Sequence, residues 1–262
     1  FCTERLPLTS GLSVNLLGVT PLDFSLNGSH RDLKALFEEQ GITVNACLAM
    51  EDSLEAVRRA SAARVNVVVT GSGLPAAKLL FARFGTPFVV GAPVGEFMTE
   101  TLLKAVRAAA QDGGCRNLAV GLRGNDSEEP PLYVVGEPVI AAAVRAALVR
   151  DEGEANVRVL TSLECDKMLL APGDREDLRE DDYLELLPRA RRVVADPMFR
   201  ALLRLHGEKD VPFAEWPHTA LSGRIWSSAA PRFIGPRFSG WWREAIVRPS
   251  LVLQDYPEAI PS

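Results

Sequence analysis

Histidine is scarce in this 262-residue chain: His30, His206 and His218 are the three. His218 stands in Glu215-Trp216-Pro217-His218, where a strand should end, and Ser222-Gly223-Arg224 follows. A strand-end histidine beside Ser, Gly and Arg has the chemistry to ligate a metal or to donate to an anionic ligand. The alternative is a satisfied structural histidine. No second His, Cys or carboxylate stands at ligand spacing nearby, so a self-contained metal site is not expected. His30, in a helix N-terminal turn, and His206, at a helix C-terminus, suit surface roles.

Gly71-Ser72-Gly73 follows directly on the apolar run Val65 to Val69. A glycine turn between a strand and a helix exposes backbone N–H groups that suit phosphate or another anion; a tight turn needing small residues is the other reading. The run lacks the GxGxxG order, and the chain has no GxxxxGK[ST] motif, so a nicotinamide or ATP site is not indicated. Glu137 in Gly136-Glu137-Pro138 and Asp196 in Asp196-Pro197 each put a carboxylate at a strand end, before a helix whose positive dipole end would stabilise it. Helix capping accounts for both, with acid–base work the second reading. No GxSxG elbow or local Ser/His/Asp pattern is present.

The elements that would position these residues occur twice. The first set runs strand (Val14 to Leu17), Gly18, helix to Gly41, strand (Ile42 to Leu48), short helix, strand (Val65 to Val69), helix to Gly85, then Pro87-Phe88. The second runs strand (Leu132 to Val135), Gly136, helix, Gly153, strand (Val157 to Leu160), helix, strand (Arg192 to Ala195), helix, Gly207, then Pro212-Phe213. Alternating apolar strands and helices mean parallel sheets with both faces covered, an α/β fold. Ligands of such units sit beyond the carboxyl ends of the strands, so two units offer a cleft between them. The expected division is a lead-in (1–12), two Rossmann-like domains (13–114 and 115–230) and a tail (231–262).

Punctuation supports these spans. Asn27-Gly28-Ser29 supplies a turn and cap, Ser53 a further cap, and Pro75 sits in a first helical turn. A longer helix is expected from about Thr99 to Gln111 and a strand at Leu118 to Leu122. Arg123 to Pro131 reads as a polar surface loop, and Gly173 to Asp182 as a solvated loop and helix face. In the tail, one amphipathic helix from about Gly240 to Val247 should pack back on a domain; an exposed Trp241-Trp242 pair would instead mark a partner surface.

Composition excludes several classes. A net charge of −5, with no basic stripe, gives no support for nucleic-acid binding. No apolar run reaches the roughly 18 residues of a membrane span. Cys2, Cys47, Cys115 and Cys165 are scattered, without CxxC or finger spacing, which fits free thiols in a reducing cytoplasm. Cys47 is expected in a buried strand. The chain starts at Phe1 and shows no secretory leader, so a cut-out piece of a longer protein is expected.

In order along the chain, several segments resemble the nitrogenase component 1-type oxidoreductases. They are Val14-Asn15-Leu16-Leu17-Gly18 with Thr20-Pro21-Leu22-Asp23-Phe24, then LKALFEEQG (Leu33 to Gly41) with Val44-Asn45. Val65-Asn66-Val67-Val68-Val69, AKLLFARFGTP (Ala77 to Pro87), Val194-Ala195-Asp196-Pro197 and Pro217-His218 through Ser222-Gly223 complete the set. The resemblance spans about Ser13 to Ala230 and rests on the order of the motifs, none being diagnostic alone. It covers nitrogenase molybdenum–iron subunits, cofactor-assembly scaffolds and dark-operative protochlorophyllide reductases.

The resemblance implies the second and third domains of such a protein, without the N-terminal domain that carries cluster cysteines. It implies a homologous component 1-type partner subunit in a homo- or hetero-oligomer. It also implies electrons from an ATP-dependent iron–sulfur reductase, a small-molecule or tetrapyrrole ligand, and an iron–sulfur cluster or metallocofactor in the full-length protein but none in this fragment alone. Thr70 stands where the molybdenum–iron catalytic subunit has its cofactor-anchoring cysteine, while His218 falls near that subunit's cofactor histidine; a single possible ligand out of two argues against a true nitrogenase. Thr70, Gly71, Ser72, Gly73, Asp23, Glu137, Asp196 and His218 would line the cavity, with Ser222 and Arg224 beside it. His218 would ligate or protonate the ligand and Arg224 would stabilise negative charge on it. A non-catalytic metallocofactor scaffold and a two-lobed small-molecule binding protein are the alternative functions.

Overall fold

The computed structural model describes residues 4–121, 128–207 and 211–248. In the first unit β1 (Ser13–Leu17) leads through α1 (Pro21–Phe24) and α2 (Ser29–Glu39) to β2 (Thr43–Cys47), and α3 (Leu54–Arg58) leads to β3 (Val65–Val68). Then come α4 (Leu74–Phe84), β4 (Phe88–Val90), α5 (Gly95–Asp112) and the short β5 (Arg116–Asn117). The second unit has β6 (Leu132–Val135), α6 (Pro138–Arg150), β7 (Val157–Leu160), α7 (Glu180–Leu186) and β8 (Arg192–Ala195). It continues through α8 (Pro197–Leu205) and β9 (Phe213–Glu215) to α9 (Thr219–Trp226), and α10 (Arg237–Ala245) follows in the tail.

All strands pair in parallel, in the orders β2-β1-β3-β4-β5 and β7-β6-β8-β9. Their apolar runs are buried on both faces, as parallel strands under helical layers require. Three asparagines pin the register of the first sheet. Asn15 donates to Asn66 Oδ1 and to Ala60 O, both at 2.8 Å, and Asn45 donates to Asn15 Oδ1 at 2.8 Å. Amides bonded in series, with Asn15 and Asn66 buried, tolerate no one-residue slip.

Helix α6 joins the two sheets. Every residue from Pro138 to Leu148 is buried, as expected of a helix with apolar groups all round. The charge it buries, Arg145, is held at both sides. Its guanidinium donates to both oxygens of Asp174 at 2.6 Å and to Ala119 O, just after β5, at 2.7 Å. Asp174 also accepts from Val159 N and Ala171 N, both at 2.9 Å. The pair thus ties the first unit, α6 and β7 together.

The tail closes over the same junction. Gly235 exchanges backbone bonds with Pro93 O and Gly95 N, at 2.8 and 3.1 Å. Phe233 contacts Phe24 of the first unit and Trp216 of the second, with ring centroids 5.6 and 5.4 Å apart. Trp241 packs edge-on against Trp216 at 4.7 Å, and Trp242 is buried beside it. The tryptophan pair is therefore core and not an exposed partner surface.

The structure departs from several expectations. The tail helix forms three residues earlier than expected, at Arg237–Ala245. The stretch Gly173 to Asp182 is not solvated throughout, because Leu178 and the Asp174 side chain are buried. The strand expected at Leu118 to Leu122 forms two residues earlier, at Arg116–Asn117, and Leu118 to Gly121 runs into a turn; Leu122 lies outside the described residues, as does most of the expected loop after it. The short pairing with β4 ends there because Asn117 uses its side chain on Met168 O and Ala119 N. His30 is buried, not a surface residue, with Nε2 3.2 Å from Glu51 Oε2. Gly28, in the left-handed conformation, starts α2 without a side-chain cap, and Asn27 Oδ1 instead accepts from Ser29 N and Oγ. Cys47 is buried as expected, and Cys2 lies outside the described residues. No helix among the described residues is long and apolar enough to cross a membrane.

Removing one partner of a buried, hydrogen-bonded ion pair leaves the other charge uncompensated. Asp174→Ala should therefore cost about 3–5 kcal/mol of folding stability, measured by urea denaturation. A loss below about 1 kcal/mol, typical of an exposed pair, would contradict this junction.

Candidate functional site

In each sheet the strand order reverses beside the first strand, between β1 and β3 and between β6 and β8. A crevice opens at the carboxyl ends of the strands at such a switch point. Here the two switch points face one another across a cavity of about 340 Å³. Thr20, Asp23 and Ser72 reach it from the turns after β1 and β3, and Glu137 and Asp196 from those after β6 and β8. His218 and Trp216 come from beyond β9. The remaining wall is apolar, with Val134, Ile140, Val144, Val194 and Phe199 as its main surface.

The anion at the glycine turn is the protein's own. Gly71 N donates to Glu137 Oε1 at 2.6 Å, across 66 positions of sequence and from one unit to the other. Glu137 Oε2 accepts from Ile140 N at 2.9 Å and so caps α6 as expected. Burial pushes the Glu137 carboxyl up to about 7; backbone donors, Gly71 N and Ile140 N foremost, oppose the shift and nearby Asp23 adds to it. Thr70 and Gly73 do not line the cavity. Thr70 is buried and donates to Gly18 O at 2.7 Å. Gly73 lies against the end of β1, where an added Cβ would fall 2.5 Å from the Leu17 carbonyl carbon. These two serve the turn and not a ligand; Gly71 and Ser72 reach the open space.

Asp196 caps α8 through Met198 N at 2.9 Å. Its other oxygen accepts from His218 N at 2.8 Å and from the Ser222 hydroxyl. Ser222 is therefore buried beneath the site, holding the carboxylate that holds His218. The imidazole Nδ1 accepts from Ala220 N at 3.2 Å, which places the proton of the neutral ring on Nε2. Nε2 lies 3.5 Å from Asp23 Oδ1. Asp23 is fixed by the Thr20 hydroxyl at 2.7 Å, within the cap of α1. Arg224 is exposed on α9 and does not line the cavity, so it cannot stabilise charge on a ligand there. Helical periodicity explains the miss: Ser222 points inward, and Arg224 lies two positions on, off that face.

A second cavity of about 620 Å³ adjoins the first and shares Asp23, Ser72, Glu137 and Leu163 with it. Lys78 and Asp166 pair across its mouth. Cys165 also lines it, donating to Glu176 at 3.4 Å, and burial with that bond pushes its thiol up to about 12. A metal cluster needs several converging thiolate, imidazole or carboxylate ligands. Among the described residues no group of three or more His, Cys, Asp and Glu is placed to hold a metal ion. Cys47 and Cys115 lie elsewhere, in β2 and after α5. His218 with Asp23 is too small a donor set, so the residues present do not fit a resident cluster.

The apolar wall and Thr20 were not singled out from sequence. The uniformly apolar, alanine-rich run after Glu137 was the available signal, since a helix buried all round at a strand-end crevice must face it. Glu137 yields a test. Folding raises its pKa, so the folded chain keeps a proton that the unfolded chain has released. Its contribution to stability is full below about 4.5 and is lost as the pH rises through about 7. Glu137→Gln should flatten the decline in stability between those pH values by about 2–3 kcal/mol, read from denaturation midpoints. An unchanged pH profile would show that this carboxyl titrates normally.

Comparison with known proteins agrees with this architecture. Residues 4–130 match the sequence model of the family described as Nitrogenase component 1 type Oxidoreductase. A subunit of the light-independent protochlorophyllide reductase of Picosynechococcus sp. is 34% identical over 113 residues, which cover 43% of this chain and 22% of that protein. The corresponding subunit from Prosthecochloris aestuarii is 37% identical over 114 residues, covering 41% and 21%. The matched region is thus about a fifth of the length of these relatives. The solved structure of nitrogenase Cp1 at pH 5 superimposes with a TM-score of 0.60 at 15% identity, covering 98% of this chain and 60% of that one. Nitrogenase Cp1 at pH 6.5 gives a TM-score of 0.61 at 14% identity, covering 98% and 62%. The sequence match to the first unit and the shared fold across both units agree: residues 4–130 carry the sequence of the nitrogenase component 1-type oxidoreductase family, and the two units together have the fold of a solved nitrogenase.

Proposed function

We propose that this chain is the ligand-holding part of a nitrogenase-like oxidoreductase subunit that works in the cytoplasm. In the whole protein, electrons come from an ATP-dependent iron–sulfur reductase by way of a cluster or metallocofactor bound outside the residues described above, and a homologous component 1-type subunit completes the assembly. A small organic ligand, a tetrapyrrole among the candidates, is reduced in the cavity between the two sheets. The observation that supports this reading is the convergence of Asp23 and Glu137, from two facing switch points, and His218, from beyond β9, on one largely apolar cavity.

The chain's own residues would supply protons to that reaction. Reducing a double bond takes up two electrons and two protons, so anionic character on the ligand has to be quenched. Glu137, with its carboxyl pushed up to about 7, is protonated in part of the population at neutral pH and lines the cavity. His218 would offer its Nε2–H as a hydrogen bond to charge developing on the ligand, with Asp196 holding its backbone and Asp23 3.5 Å from Nε2. The apolar wall excludes water and strengthens these interactions.

Protochlorophyllide, named for the curated relatives, is the first substrate to test. With the intact protein, its reductase and ATP, His218→Ala should lower turnover by about 10²–10⁴-fold while leaving the melting temperature within about 2 °C, as for substitutions away from the core. A fall of several degrees in melting temperature with unchanged turnover would make His218 structural.

A further inference from the structure

The charge lining the cavity is of one kind. Asp23, Glu137 and Asp196 contribute carboxylates and His218 an imidazole, and no Lys or Arg lines it among the described residues. Five backbone donors at the strand-end crevice are engaged within the chain. Gly71 N and Ile140 N go to Glu137, Met198 N and His218 N to Asp196, and Asp23 N to Thr20 Oγ1. A carboxylate or phosphate entering this space would meet three carboxylates in an apolar surround, where like charges repel strongly.

One donor and one acceptor remain side by side. His218 Nε2 is buried without a hydrogen-bond partner. Asp23 Oδ1, 3.5 Å from it, is beyond hydrogen-bond length, and the Thr20 hydroxyl engages the other oxygen. An unmet donor next to an acceptor, one from each unit, complements a neutral edge that carries an acceptor next to a donor. A carboxamide, a lactam and an amino-substituted heteroaromatic ring share that edge. The apolar wall, with Trp216 and Phe199 among its residues, suits the ring behind it.

We infer that the cavity takes an apolar ring ligand through a neutral amide-like edge, which accepts from His218 Nε2–H and donates to Asp23, and that it rejects the matching carboxylate. The inference rests on the reading of this cavity as the ligand site.

The test uses 2-naphthamide and 2-naphthoate, which share a ring system and size, titrated into the intact protein at pH 8 by calorimetry. The amide should bind about tenfold tighter or better, since one unpaired buried polar group costs that much. Asp23→Asn keeps the shape and removes the charge, and should bring the two affinities within about threefold. His218→Leu, a second variant that does not depend on the fold tolerating the change at Asp23, should weaken the amide without improving the carboxylate. Naphthoate binding as tightly as naphthamide, or a preference unchanged in both variants, overturns the inference and leaves the cavity as a ligand site. No binding of either probe at millimolar concentration overturns the cavity reading and this inference with it.

Discussion

A buried carboxylate must be met by donors or be neutralised, and one such group sits at the seam between the two sheets. Glu137 ends β6, caps α6 and reaches across to Gly71 N in the other unit. One side chain thus serves a helix start in its own unit and a glycine turn in its neighbour. The position of the turn after β3 relative to the turn after β6 follows from that bond, and so does the shape of the space between them. Arg145 and the aromatic tail reinforce the same seam from behind. Without the cross-unit bond, Gly71 would present an open N–H to the crevice and Glu137 would lose the donor that partly offsets its burial.

The seam explains why the cavity lining is apolar and acidic. Parallel strands end in turns that need small residues and helix starts that need acceptors. Here the acceptors come from the chain itself, so the dipole ends of α6 and α8 are already compensated by Glu137 and Asp196. What is left facing the open space is hydrocarbon from α6 and the strands, with Asp23 and His218 across it. In the proposal above, such a site would hold an uncharged ring. The same arrangement carries a stability cost, because Glu137 resists ionisation where it sits.

Much of this was legible from residue order. The repeated strand–helix pattern, the glycine stops, the capping role of Glu137 and Asp196, and the strand-end placement of His218 all follow from local rules, because each depends on neighbours within a few positions. The features that depend on distant partners were not legible. Nothing near Gly71 reveals that its anion is Glu137, 66 positions on. Nothing near His30 reveals that the 49–51 turn, with Ala49 and Glu51 at positive φ, folds over it. Arg224 looked like a ligand residue from its neighbours, yet helix α9 places Ser222 inward and Arg224 in solvent. The tryptophan pair could be read as core or surface until its partner Trp216, in the other segment of the unit, was in view.

Amide hydrogen exchange by mass spectrometry, on the intact protein and on Glu137→Ala, tests the seam most directly. If the Glu137–Gly71 bond joins the units, removing the carboxyl should raise exchange in the peptide around residues 70–74 as well as in the peptide around 137–141. The distant strand Thr43–Cys47 should be unchanged. An increase confined to 137–141 would show that the two turns are held independently, and the Glu137–Gly71 bond would not be the interaction that shapes the cavity.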